Sequence, residues 1–79
     1  MSLGADELKR LVGKTIKAVV ISEDNHGNPP CQVFLVFTDN TYYEFYGRDI
    51  NATHGPDSGD ENAVVEYARG FEGHVTIYR

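Results

Sequence analysis

The alternation of apolar and polar positions divides the chain into short β-rich runs and two helical segments. Leu8, Leu11 and Val12 fall at helical spacing, with Asp6 where an N-cap belongs and Gly13 where a left-handed stop belongs. A short helix is therefore expected over residues 7–12. Residues 15–22 (TIKAVVIS) are rich in β-branched side chains and read as a first strand. The next stretch, residues 23–30 (EDNHGNPP), holds a glycine and two prolines that break any regular element, so it reads as a loop.

Residues 32–47 carry the strongest pattern. QVFLVF and YYEFYG, two β-rich runs, are joined by TDNT. Asp39 and Asn40 tolerate positive φ, which predicts a hairpin closed by a two-residue turn. In that register facing residues sum to 79, and Phe34, Val36, Tyr43 and Phe45 share one uncharged, buried face. The opposite face then carries Val33, Leu35, Phe37, Tyr42 and Tyr46, with Glu44 between the two tyrosines.

Residues 48–60 (RDINATHGPDSGD) read as a long polar loop, and loops of that length in so short a chain are usually functional or mobile. Ser58-Gly-Asp-Glu61 matches a capping box and opens a second helix over residues 60–69, with Val64, Ala68 and Phe71 on its inner side and Gly70 as its stop. Residues 74–78 (HVTIY) form a last strand. The expected fold is a single α+β domain over residues 1–79, in chain order α-β-β-β-α-β. Its four-stranded, mostly antiparallel sheet has the order 4-1-2-3, with the last strand parallel to the first and His74 far from the other histidines.

Composition narrows the function more than it identifies one. Seven Lys plus Arg against twelve Asp plus Glu give a net charge of −5. Residues 1–20 hold four cations and two acids, a local +2; the rest hold three cations and ten acids, a local −7. A field of that sign opposes phosphate backbones and anionic membranes, so neither nucleic acid nor membrane is an expected partner. No apolar run nears the ~20 residues of a membrane span. Cys31 is the single cysteine; together with the lack of a secretory leader pattern this fits a reducing, cytoplasmic setting.

The candidate chemistry gathers in the two loops. His26, Cys31, His54 and Asp57 are residue types that ligate zinc or transition metals, and on the expected topology loops 23–31 and 48–60 emerge at one end of the sheet. The close spacing of a structural zinc site is absent, and no phosphate-binding glycine motif or nucleophile elbow occurs. No cofactor and no catalytic residue is expected.

The leading expectation is a non-enzymatic interaction module, a homodimer that self-associates through Val33, Leu35, Phe37, Tyr42 and Tyr46 and has room for a protein partner. A chain this small has too few helices to cover both faces of an apolar hairpin. The alternative is a small-ligand or metal-binding protein with its site between the two loops.

Overall fold

The structure, a computed structural model, describes residues 8–23, 30–47, 50, 52–70 and 74–79. Among these residues five strands and one full helix follow in chain order: β1 (Ile16–Glu23), β2 (Cys31–Phe37), β3 (Thr41–Tyr46), β4 (Ala52–Ser58), α1 (Glu61–Arg69) and β5 (His74–Tyr78). The strands make one antiparallel sheet in the order β4-β3-β2-β1-β5. The α+β class is as expected, but the sheet has five strands rather than four. Ahead of β1, residues 8–13 make a short helical turn, with Leu11 N–H donating to Leu8 O at 3.0 Å. Its predicted cap, Asp6, lies outside the described residues.

The fifth strand is β4, inside the stretch that reads as a loop. Gly55 and Pro56 suggest a break, yet both are accommodated because β4 is an edge strand. An edge tolerates a missing N–H and a bulge, which a central strand does not. The bulge is visible in the pairing: Tyr42 faces Asp57 and Glu44 faces His54, so β4 spends three steps where β3 spends two. Gly55 sits there at φ +125, and a Cβ would meet Tyr42 O at 3.0 Å and Tyr43 Cδ1 at 3.1 Å.

This extra strand also reverses the last one. Each hairpin flips the chain direction, so β4 runs opposite to β1, and after α1 the chain enters β5 antiparallel to β1 instead of parallel. His74 therefore stands opposite Glu23, which in turn faces Cys31. The expectation that His74 lies at the other end of the sheet from the β1–β2 loop is overturned.

The hairpin register differs by one residue. Val33 pairs with Phe45, Leu35 with Tyr43 and Val36 with Tyr42, so facing residues sum to 78. The loop is three residues long, Thr38 to Asn40, with Asn40 at φ 62. Asp39 fixes it locally: its Oδ1 accepts the Thr41 N–H at 3.2 Å, and Lys14 Nζ holds its Oδ2 at 2.5 Å. A one-residue shift exchanges the faces of every β3 side chain. Phe34, Val36, Tyr43 and Phe45 therefore do not share a face. Phe34 and Val36 lie with Tyr42, Glu44 and Tyr46, whereas Tyr43 and Phe45 lie with Val33 and Leu35.

The core is formed between α1 and the first of these faces. Val64, Val65 and Ala68 of α1 pack on Ala18, Val20, Phe34 and Val36, with Tyr42, Val75 and Ile77 at the margin. The helix forms where its apolar spacing predicts. Its cap is Asp60 rather than Ser58, with Oδ1 accepting the Ala63 N–H at 3.0 Å. At its start Glu61 pairs with Arg79, whose Nε donates at 3.0 Å, and so ties the end of β5 to the helix.

Candidate functional site

Three groups of residues bear on function, and the topology separates them. The first is the proposed ligand set His26, Cys31, His54 and Asp57. His26 lies outside the described residues. Cys31 begins β2 on the face away from α1, half-buried, and burial followed by the nearby Glu23 carboxylate raises its thiol pKa. His54 and Asp57 belong to β4 on the helix side, where His54 Nε2 lies 2.7 Å from Asp57 Oδ2. The sheet itself thus stands between Cys31 and the His54–Asp57 pair. Among the described residues no group of three or more His, Cys, Asp or Glu side chains could hold a metal ion.

The second group is the sheet face away from α1. The set Val33, Leu35, Phe37, Tyr42 and Tyr46 is divided by the register: the β2 residues are on this face, the two tyrosines on the other. In their place stand Tyr43 and Phe45 from β3, and Val19 and Ile21 from β1 through their pairing with Leu35 and Val33. Val19, Ile21, Val33, Leu35 and Phe45 are half-buried, and Ile16 and Tyr78 at the margins are 53% and 59% exposed. Phe37 is buried, with Lys14 Nζ 5.4 Å from its ring centroid. Tyr43 is fully enclosed beside Phe45, their ring centroids 5.3 Å apart, and among the described residues its hydroxyl has no hydrogen-bond partner. Among the described residues no charged side chain lies across the centre of this face; Glu23 and His74 mark one end.

The third group was not legible as a site in the sequence. Glu44, exchanged to the helix side by the register, is 5% exposed, and its Oε2 accepts a hydrogen bond from Gln32 Nε2 at 2.8 Å. Gln32 is itself 2% exposed. A carboxylate removed from water costs several kcal/mol unless it is compensated, and a single neutral amide compensates little of that. Among the described residues no lysine, arginine or histidine nitrogen pairs with it.

Tyrosines surround this carboxylate. Tyr42 and Tyr46 flank Glu44 on the same strand and face. Tyr67, from α1, meets Phe34 edge-on with centroids 5.8 Å apart, and Phe34 is the residue directly opposite Glu44. Tyr42 also packs on Phe34, at 6.1 Å. The phenol of Tyr42 is held above its ordinary pKa by burial and then by Asp57 and Glu44; that of Tyr67 by burial and then by Glu44. Both rings therefore stay neutral at physiological pH. Gly59 makes room for the cluster, since a Cβ there would come within 2.9 Å of the Tyr42 ring. Because α1 packs over β1, β2 and β5, the outer strands β3 and β4 extend past it. Tyr67 of α1 thus stands on one side of Glu44, and on the other stand His54, directly opposite Glu44 on β4, and Asp57.

Comparison with protein-family models, with curated proteins and with solved structures finds no match to this chain. No helix among the described residues is long and apolar enough to cross a membrane.

Proposed function

We propose that this chain is a non-enzymatic interaction module that pairs with a second copy of itself through the sheet face opposite α1. The observation that carries the reading is the composition of that face: Val19, Ile21, Val33, Leu35 and Phe45 make an uncharged, half-buried centre in a chain of net charge −5. Two-fold pairing suits such a surface because it is self-complementary. The charged Glu23 and His74 then fall at the rim, where solvation costs little.

Size makes the pairing modest. Five strands ~4.8 Å apart and ~20 Å long offer ~500 Å² per copy, or ~1,000 Å² in total, close to the lower limit of a specific interface. With about half of that area apolar and accessible, burial contributes ~12 kcal/mol. Association costs ~4–15 kcal/mol. A concentration-dependent dimer, micromolar where the association cost lies at the low end of that range, is the expected outcome. Salt should strengthen it, because it screens the repulsion of two acidic bodies without weakening an uncharged contact.

Light scattering from ~1 µM to ~1 mM protein tests this reading, a range that brackets a micromolar constant. The mass should rise from 8.8 kDa toward twice that value, and Leu35→Lys should keep it at the lower value while retaining the fold. A wild-type mass that stays at 8.8 kDa to the highest concentration would exclude self-association and leave the face to another occupant, such as residues 1–7 of the same chain.

A further inference from the structure

We propose that the tyrosine cluster around Glu44 binds an organic cation, specifically a primary ammonium group on an alkyl stem, held between the Glu44 carboxylate and the rings of Tyr42, Tyr46 and Tyr67. This site lies on the helix side of the sheet and is independent of the face proposed for self-association.

The chemistry follows from what the cluster lacks. Glu44 is 5% exposed, and among the described residues it is met by one amide, at 2.8 Å. A cation is the missing complement. Aromatic faces within ~6 Å attract cations through the ring quadrupole, and the attraction grows as water is excluded. Tyr42 and Tyr46 are half-buried beside the carboxylate, and Tyr67 is 47% exposed, so its ring forms the side open to solvent. Asp57 adds negative charge at the β4 margin, and its partner His54 is turned toward it at 2.7 Å.

The class of cation can be narrowed. Metal ions need several ligating oxygens or nitrogens at once, and no such group exists among the described residues. A guanidinium prefers both oxygens of a carboxylate in a fork, and Gln32 Nε2, already donating to Oε2, competes with that geometry. An ammonium is a point charge that one oxygen, Oε1, can receive, and its alkyl stem can lie along the tyrosine rings. Such a group comes either from a free alkylamine or from a lysine side chain of a protein partner.

Aromatic NMR distinguishes these, and the chain has no tryptophan to obscure tyrosine signals. The wild-type protein is titrated with n-butylammonium chloride, with a short peptide carrying one lysine between glycines, and with sodium chloride at matched ionic strength. Saturable shifts of the Tyr42, Tyr46 and Tyr67 rings, with Tyr78 unmoved, are expected for the amine at ~millimolar concentration. Tighter binding of the peptide would identify a protein lysine as the source, and equal or weaker binding a free amine. Glu44→Gln keeps the shape and should weaken binding at least tenfold. Should that variant fail to fold, Tyr67→Ala, at an exposed helix position, should weaken binding several-fold. Shifts that sodium chloride reproduces, shifts that do not saturate, or unchanged affinity in a folded Glu44→Gln or Tyr67→Ala variant would overturn the proposal.

Discussion

Gln32→Met isolates the energetics of the buried carboxylate. Methionine has nearly the length and volume of glutamine, so packing on the helix side of β2 is kept while the amide donor at 2.8 Å from Glu44 Oε2 is lost. Glu44 is 5% exposed, too enclosed for water to replace that donor in full. A hydrogen bond to a charged group contributes ~1.5–3 kcal/mol, and a buried charge stripped of its partner costs ~3–5 kcal/mol. A loss of about 2–3 kcal/mol is a large part of the ~4–12 kcal/mol expected for 79 residues. In melting temperature it amounts to roughly 10–20 °C, at ~4–8 °C per kcal/mol. The double variant Gln32→Met, Glu44→Met removes both polar groups together and should melt near the wild type or above it, because replacing both members of a buried pair is often neutral or stabilising. Thermal and urea denaturation of wild type, both single variants and the double variant close the cycle. If Gln32→Met melts with the wild type, or if the double variant loses the sum of the singles, the carboxylate is not buried against that amide and the cation site around Glu44 loses its basis.

Three further outcomes follow from individual side chains. Tyr43→Phe should stabilise the protein by ~1 kcal/mol or more in denaturant titration, since it removes an enclosed hydroxyl without a partner; a destabilised variant would mean that the hydroxyl is bonded. Lys14, and then Thr41, hold the Asp39 carboxyl below its ordinary value of 3.8. A carboxyl with a lowered folded pKa adds stability that is complete above the ordinary value and disappears as pH falls through the lower one. The gap in melting temperature between wild type and Lys14→Met should therefore be constant above pH 3.8 and close below it, and a gap that persists in strong acid would contradict the pairing. Burial and Glu23 raise the Cys31 thiol pKa, so alkylation of Cys31 should begin at higher pH than for a free cysteine and should accelerate in Glu23→Gln; an unchanged profile would contradict that environment.

What the sequence conveyed of this fold, and what it hid, have separate physical causes. The alternation of Ala18, Val20 and Ser22 with Val19 and Ile21 marks β1 because one face is buried and the other half-covered. Val64, Val65 and Ala68 mark α1 for the same reason at helical spacing. β4 was hidden because His54-Gly55-Pro56-Asp57 has the composition of a turn, and only its edge position, a tertiary fact, lets it pair. The hairpin register depended on one backbone conformation. Asp39-Asn40 is compatible with a two-residue turn, but Thr38 joins the loop when Asn40 adopts φ 62 and Asp39 takes the Thr41 N–H. That single residue moved Glu44 from the expected self-association face to the buried one and put Tyr43 and Phe45 in place of Tyr42 and Tyr46 beside Val33 and Leu35. The Asp-Asn-Thr run, read for its side-chain-to-backbone bond, was the available signal for the longer loop.

On the proposed function, a second copy of the chain covers the sheet face opposite α1. Isotope-filtered NMR on a mixture of labelled and unlabelled protein at ~1 mM, far above the micromolar constant expected, observes it directly. Intermolecular cross-peaks should join the methyl groups of Val19, Ile21, Val33 and Leu35 to the Phe45 ring of the other copy, with none from Val64 or Ala68 beneath the helix. Cross-peaks confined to the helix side, or none at all at that concentration, would contradict it.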